Sequence, residues 1–210
     1  MAAGFDWPEL YFVRHGETNW NREGRYQGSR DIPLNDTGRG QADRNGALLR
    51  DLLARDNRSP AEFDWYVSPL GRARETMDRI RAQFGVELPP VTVDQRLIEL
   101  SFGIYEGQLH VELASGTMAI AGERDASFWY FRPPEGESYD DLAARVTEFA
   151  SKLPRRAVVV SHGGVLRALR RLIEDFPPDR AVNWFPPQDS VVHFAGGRAT
   201  IYPAGADWDE

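Results

Sequence analysis

The chain has 210 residues, carries a formal net charge of −7, and is 41% hydrophobic and 11% aromatic. That length suits one domain with room for a small insertion, and the apolar content is enough for a sizeable core. An acidic chain with no basic block is a poor partner for nucleic acid or an anionic membrane, and no apolar run approaches the roughly 20 residues of a membrane helix. The lack of cysteine excludes disulfides, zinc thiolate sites and a thiol nucleophile, and fits a cytoplasmic protein. Met1 to Leu10 has neither the basic start nor the apolar stretch of a signal peptide, in line with that expectation.

Leu10 to Val13 is the first apolar run and reads as a buried strand. It runs into Arg14-His15-Gly16-Glu17-Thr18. Here a histidine stands between an arginine and a glycine where strand meets loop. Arg14 is suited to holding phosphate oxygens, His15 offers a ring nitrogen as nucleophile, and Gly16 lets the backbone come close. A polar strand end with a surface histidine has the same letters. Ala42, Gly46, Leu49 and Leu53 then form a helical stripe. Trp65 to Val67 reads as a second strand. Ser68-Pro69 reads as a cap followed by the proline favoured at a first helical position, with Arg72 in the first turn. The stripe Ala73, Met77, Ile80, Phe84 continues that helix.

Residues 103 to 137 break the pattern, with several glycines, Pro133-Pro134 and the cluster Phe128-Trp129-Tyr130-Phe131. They read as an insertion over one end of a sheet. Its aromatic run either walls a pocket or packs as core. Ser138, three residues before Asp141, forms a capping-box pattern for a helix with the stripe Tyr139, Leu142, Val146, Phe149, Leu153. Ala157 to Val160 is the clearest strand. Ser161-His162-Gly163-Gly164 follows it and leads into a helix bearing Val165, Leu169 and Leu172. Trp184-Phe185-Pro186-Pro187 faces either a partner, such as a second copy in a homodimer, or the core. Ser190–Ala195 and Ala199–Tyr202 flank Gly196-Gly197 as a hairpin, where His193 alternates with Val191 and reads as structural. Strand and helix alternate, so the expected fold is α/β: a three-layer sandwich with a mostly parallel central sheet flanked by helices. Ligands of such sheets sit beyond the carboxyl ends of the strands, where segments 14–18 and 161–167 would share one crevice.

Four segments carry the chemistry: Arg14 to Thr18 continuing to Asn21, Ser68 to Thr76, Leu97 to Gly107, and Ser161 to Arg167. In this order they resemble the histidine phosphatase superfamily, in the branch that includes the cofactor-dependent phosphoglycerate mutases. The likeness spans roughly residues 9 to 195. Gly24 to Gly28, Asp31 to Asn35, Gly38-Arg39, Gln41-Ala42 and Gly136 to Ser138 also match. The resemblance implies a phosphoglycerate mutase-like fold with a small cap at 103–137. It implies that His15 forms a phosphohistidine and that Arg14, Arg72 and His162 bind the phosphoryl oxygens, helped by Asn21. Glu99 would protonate the leaving oxygen and then activate water. Gln27 and Gly163 are further candidates for lining the pocket. Independently of the family, a phosphate monoester dianion repels anionic nucleophiles, so a neutral imidazole is the better attacking group. Its other nitrogen then needs an acceptor that holds the tautomer. Arginines clamp the equatorial oxygens, where transition-state charge spreads.

A mutase must also retain a second phosphate, which calls for a basic cap. Residues 108 to 135 hold two basic residues (Arg124, Arg132) and four acidic ones (Glu112, Glu123, Asp125, Glu135). Where the similar mutases have a lysine and an arginine pair, this chain has His110 and the single Arg132. The expectation is therefore a metal-independent, cofactor-free phosphatase acting on small phosphomonoesters. Mutase-type transfer and a non-catalytic phosphate-binding module are the alternatives. A Gly-x-Ser-x-Gly elbow is absent, and the four histidines have no paired ligand spacing.

Overall fold

A computed structural model describes residues 7–110 and 124–205. In chain order the elements are β1 (Leu10–Arg14), α1 (Asn19–Glu23), α2 (Asp36–Arg55), β2 (Asp64–Val67), α3 (Gly71–Ala82), β3 (Val91–Val93), α4 (Tyr139–Ser151), β4 (Ala157–Ser161), α5 (Gly163–Glu174), α6 (Pro178–Asn183), β5 (Ser190–Ala195) and β6 (Arg198–Pro203). The strands form one sheet in the order β3-β2-β4-β1-β5-β6. The pairs among β3, β2, β4 and β1 are parallel, and β5 and β6 join antiparallel as the expected hairpin. The sheet is thus α/β and mixed, with the parallel part at its centre.

The two central strands are buried on both faces, which is why they read as unbroken apolar runs. Leu10, Phe12, Ala157 and Val159 pack with Leu142, Val146 and Phe149 of α4 and Val165 and Leu169 of α5. The alternate residues Tyr11, Val13, Val158 and Val160 pack with Leu49 and Leu53 of α2 and Ala73, Met77 and Ile80 of α3. Each such apolar side chain contributes about 1.5–3 kcal/mol when fully buried. The helical stripes predict these contacts correctly, although α2 begins well before Ala42, where the Asn35 side chain accepts the Gly38 N–H at 2.8 Å. Ser138 and Asp141 form the expected capping box at the start of α4.

One cap differs. Helix α3 starts at Gly71 with Leu70 as its N-cap residue and no local side-chain cap. The carboxylate of Asp31 instead accepts the Gly71 N–H at 2.7 Å and the Arg72 N–H at 3.4 Å. An acceptor brought from 40 residues away leaves Ser68 free for another partner. The short elements β3, α1 and α6 carry too few residues for a legible period. Of residues 103–137, the described parts form short 3-10 turns at Gly103–Tyr105 and Ala126–Trp129, and 111–123 lie outside the described residues. Trp129 is core, stacked on Tyr139 with ring centroids 5.2 Å apart. Phe128 and Phe131 line a small apolar cavity with Tyr26, Phe102 and Tyr139, so the aromatic run divides between the two expected uses. His193 is structural as read, stacked on Tyr11 at 4.1 Å and bonded to Glu9 at 3.0 Å.

Candidate active site

Sheet register brings the motifs together. Arg14 pairs with Ser161 across parallel β1 and β4, so His15 and His162 leave adjacent strand ends side by side. Their ring centroids are 5.1 Å apart. Val67 pairs with Val160, which delivers Ser68 to the same level. Arg72 enters from the first turn of α3, and Glu99 from the loop after a 3-10 turn at Gln95–Leu97. Both histidines and Arg72 are almost completely buried.

The His15 ring is held at both nitrogens. Nδ1 lies 2.7 Å from the Gly16 carbonyl, an obligatory acceptor, so Nδ1 carries the proton. Nε2 keeps its lone pair and accepts from Arg72 Nε at 3.3 Å. The other two Arg72 nitrogens donate to the carbonyls of Arg30 (2.5 Å) and Gly28 (2.8 Å), which locks the guanidinium. Burial, then Arg72 and Arg14, hold the His15 pKa well below the usual histidine range. His162 is pushed the same way by burial and by Arg72, His15 and Arg14. Both rings are therefore neutral at neutral pH. Arg14 and Arg72 are each lowered to about 10, chiefly by burial, and remain cationic. Arg14 Nη1 donates to the Pro186 carbonyl at 2.6 Å, while its Nε is a buried donor with no protein partner among the described residues.

Glu99 is seated at the N-terminus of α5. Its oxygens accept the Gly164 N–H at 3.0 and 3.1 Å, and one also accepts the Leu100 N–H at 2.9 Å. Gly164 permits this approach, since a Cβ there would lie 2.3 Å from Glu99 Oε1. Gly16 has a comparable role, because a Cβ on it would strike the Gly38 carbonyl at 2.1 Å. Asn21 caps α1 jointly with Thr18, and its side-chain oxygen also accepts from Gln188 Nε2 at 3.1 Å. Gln27 accepts the Thr18 hydroxyl at 2.5 Å.

Arg14, His15, Asn21, Gln27, Glu99 and Gly163 line one open cavity of about 110 Å³, with the buried Arg72 and His162 packed against His15. Every sequence-predicted site residue is therefore at or against this cavity. The structure adds residues that the sequence reading did not single out as site residues: Arg25, Arg124 and Arg167, with Tyr26, Tyr139 and Phe185. Arg167 donates to the Trp184 carbonyl at 2.8 Å and to the Tyr139 hydroxyl at 2.9 Å. His110, which shares this rim, is lowered to about 4 by burial and then by Arg124 and Arg167. Counting charge in the insertion alone missed this cluster, because Arg25 and Arg167 come from elsewhere in the chain. The signal for Arg167 was its place one turn after His162-Gly163 on the same helix. The Trp184 to Pro187 segment forms part of the rim through Phe185 and Pro186. Among the described residues, no group of three or more His, Asp or Glu is arranged to hold a metal ion, and no helix is long and apolar enough to cross a membrane.

Comparison with known proteins identifies the family. The model of the histidine phosphatase superfamily (branch 1) matches residues 10–202. A 2,3-bisphosphoglycerate-dependent phosphoglycerate mutase of Azorhizobium caulinodans is 33% identical, over 94% of this chain and 93% of its own. A glucosyl-3-phosphoglycerate phosphatase of Mycolicibacterium vanbaalenii is 32% identical, over 83% of this chain and 76% of its own. Among solved structures, a mycobacterial glucosyl-3-phosphoglycerate phosphatase in complex with VO3 superposes with a TM-score of 0.71 at 27% identity, covering 95% of this chain and all (100%) of that one. A putative alpha-ribazole-5'-P phosphatase from Escherichia coli gives a TM-score of 0.69 at 26% identity, covering 96% and 97%. The chain belongs to the histidine phosphatase superfamily, branch 1.

Proposed function

We propose that this protein is a metal-independent phosphomonoesterase of the cytoplasm that works through a phosphohistidine at His15. The observation that carries the reading is the His15 ring itself: Nδ1–H is bound to the Gly16 carbonyl, Nε2 holds its lone pair beside Arg72, and Glu99 borders the same cavity. In the first step the Nε2 lone pair forms a bond to phosphorus and the ester P–O bond breaks. The departing oxygen takes a proton from the Glu99 carboxylic acid. The ring becomes cationic while its Nδ1–H stays on the Gly16 carbonyl. In the second step Glu99, now a carboxylate, takes a proton from water as the water oxygen bonds to phosphorus. The P–N bond breaks, its electron pair returns to Nε2, and inorganic phosphate leaves. Arg14 and Arg72, already fixed by backbone carbonyls, stabilise the equatorial oxygens without reorganising, the form of electrostatic catalysis worth most in a buried site.

Arg25, Arg124 and Arg167 in the cavity lining support a substrate whose leaving group carries a second negative charge. The same cluster favours a second reading, phosphoryl transfer primed by a bisphosphate, since a mutase has to hold two anionic groups. Free phosphate released without any bisphosphate primer, from a panel of anionic and neutral phosphomonoesters, separates the two. His15→Ala is expected to abolish both turnover and acid-labile phosphoenzyme while leaving the fold intact. Turnover at the parent rate in that variant would overturn the mechanism.

A further inference from the structure

Two buried histidines stand side by side in this site, and their hydrogen-bond partners are of opposite kinds. His15 has a carbonyl acceptor at Nδ1. His162 has a hydroxyl: Ser68 Oγ lies 2.6 Å from His162 Nε2, and both residues are fully buried. The other ring nitrogen, His162 Nδ1, is a buried polar atom with no protein partner among the described residues.

We propose that Ser68 is a positioning residue that sets the tautomer of His162, so that Nδ1 carries the ring proton and donates it to a phosphoryl oxygen. The inference rests on reading the cavity as a phosphoester site.

The argument is a count of protons. Ser68 Oγ already accepts the Leu70 N–H, at 3.4 Å. Its own proton needs an acceptor, and His162 Nε2 is the acceptor in reach among the described residues. A hydroxyl that donates to Nε2 requires a lone pair there. A neutral imidazole has one N–H, so the proton sits on Nδ1. The opposite tautomer would put Nε2–H against the hydroxyl and strand the hydroxyl proton in a buried setting, which costs about 1–3 kcal/mol. It would also turn a lone pair toward any anion bound by Nδ1. Arg14 Nε is a second buried donor with no partner among the described residues, and a Cβ on Gly163, the residue after His162, would lie 3.3 Å from it. Thus the Gly16 carbonyl makes one ring a nucleophile, and the Ser68 hydroxyl makes its neighbour a donor. This also accounts for the failure of Ser68 to cap α3.

The test uses the full chain labelled with 15N-histidine. Ring-nitrogen NMR of the parent protein is expected to show His162 with Nδ1 protonated and Nε2 as acceptor. Orthovanadate, an analogue of the phosphoryl group, is expected to shift the Nδ1 signal. Ser68→Ala is expected to lose the tautomer preference and to lower kcat by up to about a hundredfold, the lower end of the range for loss of one preorganised donor, with a smaller change in KM. Ser68→Thr, which keeps the hydroxyl, is expected to keep the tautomer and recover most of kcat. An Nε2-protonated His162 in the parent protein overturns the proposal, whatever the variants do. So does an Nδ1 signal that orthovanadate leaves unmoved. A parent protein with the expected tautomer and vanadate shift but no phosphatase turnover would instead defeat the phosphomonoesterase reading and leave the role of Ser68 standing.

Discussion

A methyl group added at Gly164 would lie 2.3 Å from Glu99 Oε1 and 3.2 Å from Leu142 Cδ2. Gly164 is the second residue of α5, so alanine fits its backbone. The crowding falls on the free end of a flexible side chain. Relief requires the Glu99 carboxylate to retreat by about 1 Å, the gap between 2.3 Å and ordinary contact from 3.4 Å. That movement lengthens its bonds to the Gly164 N–H, now 3.0 and 3.1 Å. A displacement of that size in a catalytic group costs about a hundredfold in rate, or about 2.7 kcal/mol of transition-state stabilisation. Stability moves far less, because the gain in helix propensity of up to about 1 kcal/mol offsets crowding at Leu142. Gly164→Ala is therefore expected to fold with an unfolding free energy within about 1 kcal/mol of the parent. Its kcat on alkyl phosphates should be about a hundredfold lower. Aryl phosphates need little proton donation, so for them the burst of phosphoenzyme formation should survive while its hydrolysis slows. The assay is rapid-quench kinetics on both substrate classes, repeated in a Glu99→Gln background. If Gly164 acts through Glu99, the double variant loses no more than Glu99→Gln alone. Parental kcat in Gly164→Ala, or fully additive losses in the double variant, would refute the reasoning.

Two other outcomes follow from the site. Arg167→Gln is expected to raise KM by about tenfold, near 1.4 kcal/mol, for phosphomonoesters whose leaving group is anionic, and to leave a neutral aryl phosphate unchanged. Steady-state kinetics on matched substrates decides this, and an equal rise for both would remove Arg167 from leaving-group recognition. The pH dependence of stability has a definite sign. His15 and His162 have folded pKa values held well below the usual range by burial, whereas their unfolded values are about 6.5. Below that pH the unfolded chain binds protons that the native state refuses. Stability is complete above about pH 6.5 and falls as the pH drops below it, by at most about 2.7 kcal/mol per pH unit for the two groups together. Urea unfolding at pH 7, 6 and 5 measures the slope, and His162→Gln should make it shallower. A protein whose stability is unchanged down to pH 5 would contradict the neutral assignment.

Much of the framework was legible because local patterns survive into the fold. Leu10 to Val13 and Ala157 to Val160 are apolar at every position since they are covered on both faces. The stripes of α2, α3, α4 and α5 have enough turns for a period to emerge. The capping box at Ser138 is complete within four residues. Where a partner is distant, reading by proximity failed. Ser68-Pro69 looks like a helix start, but Asp31 caps α3 from across the chain and Ser68 turns to His162. Likewise, the charge of 108–135 suggested a pocket poor in bases, while Arg25 and Arg167 reach the same cavity from other segments.

The order of residue types alone determined the family and the candidate groups that gather at the cavity: His15 flanked by Arg14 and Gly16, then Arg72, Glu99 and His162. Those choices are dictated by phosphate chemistry and sit at fixed offsets from strand and helix ends. The tertiary structure decided which partner faces each histidine ring. It also decided what holds Glu99 in place and which arginines line the cavity. A ring's protonation depends on whether its neighbour is the Gly16 carbonyl or the Ser68 hydroxyl, and a cavity's charge depends on every segment that reaches it. Strand register and helix packing, not sequence distance, set those neighbours.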